Sequence, residues 1–102
     1  MQALRLSYLL ILPEFEFHLF DNVGWSVKPN SIGMGIDVEQ AYWNSDVEGH
    51  GCVIPHQKAY HIAKPFDRSY ECRSEMCLEM EKAGIPIKYH HPEVGAAGQF
   101  EI

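Results

Sequence analysis

The sequence predicts an α+β domain, and three observations carry that expectation. Residues 14–20 alternate with period two. Residues 67–82 follow a helical period between a capping residue and a glycine. Two short segments after that helix, 85–91 and 99–102, read as strands. At 102 residues the chain is one domain at most, burying roughly 60 to 68% of its unfolded surface. Apolar residues are 46% and charged residues 22%, ordinary for a globular chain and too apolar for disorder.

Taken in order, residues 1–12 form an atypical N-terminal segment and residues 13–102 the domain. The start, MQALRLSYLLIL, holds a short apolar run that meets Pro13 too early to cross a bilayer and lacks the small-residue cleavage site of a signal peptide. In PEFEFHLF (13–20), Glu14, Glu16 and His18 take one face of a strand and Phe15, Phe17 and Leu19 the other. Residues 21–35, with Asn22, Gly24, Pro29, Asn30, Gly33 and Gly35, read as a loop or loose hairpin, and 35–45 as a short strand followed by a turn. Gly49, Gly51, Pro55 and Pro65 make 46–66 irregular. Asp67 is placed to N-cap a helix ending near Lys82, with Gly84 as its stop and Pro86 beyond. On it Cys72, Met76, Met80 and Ala83 form an apolar stripe with Cys77 beside it, and Glu71, Glu75, Glu79 and Lys82 serve the other face. Ile85, Ile87 and Tyr89 share one side of the next strand, and EVGAAG turns the chain into QFEI.

The net charge of −6 and the lack of a Lys/Arg cluster argue against nucleic acid or an anionic membrane as partner. Cys52, Cys72 and Cys77 are odd in number and irregularly spaced, which predicts free thiols in a reducing compartment, so a cytoplasmic protein.

Two groups of carboxylates could carry chemistry. Glu14 and Glu16 project from one side of a strand about 6.6 Å apart, at about 3.3 Å per residue. Two ionised carboxylates that close need compensation by solvent, a basic side chain, a shared proton or a divalent cation. Glu93 and Glu101 flank a turn that can direct both into one place. Oxygen donors without thiolate suit Mg²⁺ or Mn²⁺. The plain alternatives are a wet edge strand for the first group and a polar hairpin for the second. His90 and His91 alternate across a strand, so only one faces the acidic side. His50, Cys52 and His56 are a weaker zinc reading, because their spacing matches no usual zinc knuckle. There is no phosphate-binding G-x-x-x-x-G-K loop and no spacing for a Ser-His-Asp or Cys-His pair.

Together PEFEFHLF, IDVEQAYWNS, RSEMCLEMEKAG and HHPEVGAAGQFEI resemble, in order and spacing, the bacterial-type glutamine synthetases. The likeness runs from about Pro13 to Ile102. It implies part of a catalytic domain built on a curved antiparallel sheet with flanking helices. The implied activity is ATP-dependent condensation of glutamate with ammonia through γ-glutamyl phosphate, in a homo-oligomeric ring. By resemblance, Glu16, Glu93 and Glu101 hold one of two Mg²⁺ or Mn²⁺ ions, Glu14 belongs to the second, and His91 lies near the transferred phosphate. Lys88 stands where the family usually contacts the nucleotide with a glutamate, a charge reversal. Pro92, Phe100, Gln40 and Ala41 also depart from the usual residues. The stretch is part of the family's catalytic domain, so the chain alone is expected to be inactive. A ligase joining glutamate to another amine is an equal reading. A reading from a different class is a non-catalytic metal-binding module that docks onto a full-length synthetase.

Overall fold

The computed structural model describes residues 8–49 and 51–102. The expectations for residues 1–7, and for His50 as a zinc ligand, lie outside the described residues. The described elements are β1 (Glu16–His18), β2 (Asn22–Lys28), β3 (Ser31–Asp37), a 3₁₀ turn (Tyr42–Asn44), α1 (Tyr70–Lys82), β4 (His91–Pro92) and β5 (Gln99–Glu101). They form two antiparallel sheets, β1-β5-β4 and the β2-β3 hairpin, with one α-helix. The α+β class expected from the pattern is the one observed.

The first difference from expectation is the hairpin. Residues 22–37 form two seven-residue strands. Their registers pair Val23 with Ile36, Trp25 with Met34 and Val27 with Ile32. Period two then puts all six apolar side chains on one face and Gly, Ser and Asn on the other. Every residue of the hairpin except Asp37 is exposed. The radius of gyration is accordingly 19.4 Å, against about 13 Å for a compact chain of this length. Asp37 anchors the hairpin's exit: its Oδ1 accepts from Val38 N, from Trp43 Nε1 at 2.8 Å and from Asn44 Nδ2 at 2.9 Å. Beyond it, Val38, Ala41, Ile54, Ala59 and Ala97 make a small core with Ile62 against it.

The helix begins at Tyr70 rather than directly after Asp67; the Asp67 carboxylate accepts Ser69 N–H at 3.3 Å and the Arg73 guanidinium. Ser69 is the N-cap residue and makes no side-chain cap bond. Gly84, at φ +86, ends the helix as expected, and Gly84 N–H reaches Glu81 O at 2.9 Å. Cys72, Met76 and Met80 line an apolar groove with Phe15, Phe17 and Ile102, so the stripe does face the aromatic side of β1. The residues buried on the helix are nevertheless Arg73 and Cys77. Residues 85–90 form no strand; regular pairing begins at His91.

Pairing of β1 with β5 extends one residue past the strands, where Phe15 and Ile102 exchange N–H···O bonds of 3.1 Å. At the other end Leu19 N–H donates to Gly98 O at 2.9 Å. Gly98 has φ +87, and a Cβ there would lie 2.7 Å from Leu19 O and 2.8 Å from Val38 Cγ2. Glycine is required for this approach.

Candidate metal centre

The site is built across the three-stranded sheet. β5 is central, and its Glu101 is the register partner of Glu16 on β1 and of His91 on β4. Residues opposite one another on antiparallel strands share a face, with Cβ atoms about 4.5 to 5.5 Å apart. Glu93 follows β4 and is drawn back to β5 by its N–H bond to Gln99 O at 2.8 Å. One donor atom from each of His91, Glu93 and Glu101 lies within 4.8 Å of the others. All three residues are buried, at 6, 8 and 7% exposure.

His91 is oriented by its own backbone. The Pro92 carbonyl can only accept, so the Nδ1 atom 3.0 Å away carries the proton. Nε2 faces Glu101, 3.7 Å from its Oε2, and in the neutral ring offers its lone pair to the cluster. Metal-binding histidines are commonly held in this way, with the far nitrogen donating to a carbonyl. The same Pro92 oxygen accepts His61 N–H at 3.1 Å. His61, at φ +54, sets its ring 4.1 Å from that of His91, tilted by 34°. A cleft of about 500 Å³ opens beside these rings, lined by His61, Lys64, Tyr70 and His90 among others.

Burial pushes the Glu101 carboxyl above its ordinary value of 4.5. His91 opposes this, and the carboxylates of Glu14 and Glu93 add to it. Among the described residues no Lys or Arg pairs with Glu93 or Glu101; their one ion-pair partner is His91. Two buried carboxylates and an imidazole lone pair without a basic counter-charge form a donor set suited to a divalent cation, so the residues fit such an ion.

The structure brings together Glu93, Glu101 and His91. It sets Glu16 beside them on the same face but exposed, with Oε2 held by Gln99 Nε2 at 2.8 Å. Gln99 Oε1 is buried without a partner. Glu14 is exposed one turn of pleat earlier, close enough for its charge to act on Glu101. Lys88 lies on the surface with its ammonium 5.2 Å from the Tyr89 ring, and Tyr89 in turn stacks 5.6 Å from His91. Cys52 and His56 join no three-residue donor cluster among the described residues. Cys52 is exposed with Sγ 3.6 Å from Val53 O, and His56 packs edge-on to Tyr42 at 5.2 Å.

One family model, described as the catalytic domain of glutamine synthetase, matches residues 3–102. The chain belongs to the glutamine synthetase catalytic-domain family. Glutamine synthetase of Haemophilus influenzae is 43% identical over 94 residues, 88% of this chain and 20% of that protein. The 3-hydroxylaminophenol mutase of Cupriavidus pinatubonensis is 40% identical over 94 residues, with the same coverage. Glutamine synthetase of Plasmodium falciparum, solved by cryo-electron microscopy, superposes with a TM-score of 0.72 at 20% identity, over 87% of this chain and 19% of that one. This likeness bears on the fold. The chain thus spans about one fifth of the length of the curated relatives it matches.

Sequence reasoning missed Arg73. It is fully buried, with no exposed area. Its Nη1 and Nη2 donate to Asp67 Oδ1 and Oδ2 at 2.9 and 2.5 Å, and its guanidinium carbon lies 4.6 Å from the Phe100 ring centroid. An arginine next to an apolar helical stripe carries no pattern that marks it as buried. Burial also lowers the His90 pKa below its ordinary value, and the Arg73 charge adds to that.

Proposed function

We propose that residues 13–102 are a piece of the catalytic domain of a cytoplasmic glutamate–ammonia ligase that carries carboxylates for its divalent ions. The observation that supports this most is the buried cluster of Glu93, Glu101 and His91 without a basic partner. Glu93 and Glu101, with Glu16 turned in from across β5, would hold one Mg²⁺ or Mn²⁺ ion. Glu14 would serve a second. Such ions neutralise the charge that builds on nucleotide phosphates during phosphoryl transfer.

In the intact enzyme the γ-phosphoryl group of ATP passes to the side-chain carboxylate of glutamate and ADP departs. Ammonia then attacks the acyl carbon, a proton is lost and phosphate leaves, giving glutamine. His91 borders the phosphoryl end through its Nε2, and Lys88 is assigned to the nucleotide. The enzyme is a homo-oligomeric ring, and the exposed apolar face of β2 and β3 is consistent with contacts between subunits. The mutase is about as similar over this stretch as the synthetases are, which supports placing the determinants of the reaction outside these residues. A ligase that uses another amine therefore remains the companion reading.

Calorimetric titration with MnCl₂ tests the proposal. Saturable binding by the 102-residue chain is expected, with loss in Glu101→Gln, and the chain alone should make no glutamine from glutamate, ammonia and ATP. Equal binding by the variant, or glutamine formed by the unassisted chain, would contradict it.

A further inference from the structure

We propose that Arg73 is a positioning residue of the metal site, setting the Glu101 donor and the neighbouring His91 ring through the preceding residues Phe100 and His90. The inference rests on the metal reading above. A guanidinium without solvent exposure is costly unless its charge is paired and its three nitrogens are hydrogen-bonded. Here the fork is taken by Asp67, itself 5% exposed. The Nε–H donates to His90 Nδ1 at 3.2 Å, and the flat face lies over Phe100.

These contacts fall on the residues directly before two members of the cluster. His90 precedes His91 at the start of β4, and Phe100 precedes Glu101 on β5. The chain of hydrogen bonds also fixes one form of the His90 ring. Arg73 Nε can only donate, so Nδ1 accepts. Ser74 Oγ donates to Tyr70 O at 2.8 Å, which leaves its lone pairs to accept from His90 Nε2 at 3.3 Å. His90 is thereby tied to two successive residues of α1, and His91 is turned to the opposite side, toward Glu93 and Glu101. On β5, alternation does the same: Phe100 faces Arg73 and Glu101 faces the cluster. One buried cation thus ties helix, β4 and β5 together on the side away from the donors. Partners of this indirect kind typically govern metal affinity by 10- to 100-fold, roughly.

The test uses the full chain and Mn²⁺ alone, followed by the loss of the free-ion electron paramagnetic resonance signal. Far-UV circular dichroism and the urea midpoint report folding in the same samples. Removing Arg73 alone would strand Asp67, so the main variant is the double change Asp67→Leu with Arg73→Met, a replacement that buried ion pairs often tolerate. Arg73→Lys is the second variant; it keeps the charge but cannot fork to Asp67 while also reaching His90 and Phe100. The expected result is a helix signal and midpoint like the parent's, with the Mn²⁺ dissociation constant raised roughly 10- to 100-fold in the double variant. Arg73→Lys should lie between the two. Nitrogen-15 resonances of His90 at fixed pH should show a single Nε2–H tautomer in the parent and a mixture in the double variant. Parent-like affinity in either folded variant would overturn the positioning role. A parent chain that binds no better than Glu101→Gln would overturn the metal reading and this inference with it, a result distinct from the first.

Discussion

Gly98→Ala is expected to be among the most damaging single-methyl changes in the chain. The residue sits at φ +87, where an L side chain is strained, at a cost of about 1 to 2 kcal/mol. The new Cβ would also stand 2.7 Å from the Leu19 carbonyl oxygen and 2.8 Å from Val38 Cγ2. The first is backbone and the second a core side chain, so neither can turn away freely, and overpacking of this kind costs about 1 to 3 kcal/mol. Together the loss is roughly 2 to 5 kcal/mol, a large part of the ~5 to 15 kcal/mol available to a small domain. Urea denaturation followed by tryptophan fluorescence should show the midpoint fall by about 1 M or more. Gly24→Ala provides the contrast, because nothing lies within 4 Å of its added methyl and no positive φ is involved. Its effect should stay within about 1 kcal/mol. A Gly98→Ala stability within about 0.5 kcal/mol of the parent would refute the reasoning.

Three further expectations follow from side-chain environments. Asp67→Ala should destabilise by about 3 to 5 kcal/mol, since it leaves Arg73 charged and buried without its partner. Glu79→Gln, which removes an exposed pair with Lys82, should leave the midpoint nearly unchanged, and equal effects of the two changes would be contrary to this account. For Glu101 the folded pKa is raised, so its contribution to stability is present below its ordinary pKa and is lost as pH rises through the folded value. Without metal at pH 7, Glu101→Gln should therefore melt no lower than the parent. Adding Mn²⁺ at 100 times its dissociation constant should stabilise the parent by about 2.7 kcal/mol and leave the variant unmoved. Burial, with the Glu81 charge, raises the Cys77 thiol pKa, while Cys52 and Cys72 are exposed. Iodoacetamide at pH 8 should label Cys52 and Cys72 first, as mass spectrometry of the peptides would show.

Much of the architecture was legible in the sequence because local signals agreed with it. The helix was marked by its period and by Gly84, and the β1 face by the alternation of Glu14, Glu16 and His18 against Phe15, Phe17 and Leu19. The local pattern of residues 21–35 gives no more than a loop or loose hairpin. Gly24, Gly33 and Gly35 dilute the strand signal, although the apolar positions 23, 25, 27, 32, 34 and 36 do keep period two. Asp67 reads as a cap because a carboxylate before a helix usually is one. Its capture by Arg73 depends on a tertiary contact six residues away that no local pattern encodes. The same limit applies to the donors. Sequence placed Glu93 and Glu101 together through their turn, whereas the strand order that puts Glu101 between Glu16 and His91 is visible only once β5 is seen between β1 and β4.

The most direct test of the metal site is crystallographic: anomalous scattering from the chain crystallised with MnCl₂. A manganese peak bonded to Glu93 and Glu101, with Glu16 released from Gln99 and turned toward it, is the expected result. Manganese bound elsewhere, with Glu93 and Glu101 left as they are, would contradict the account.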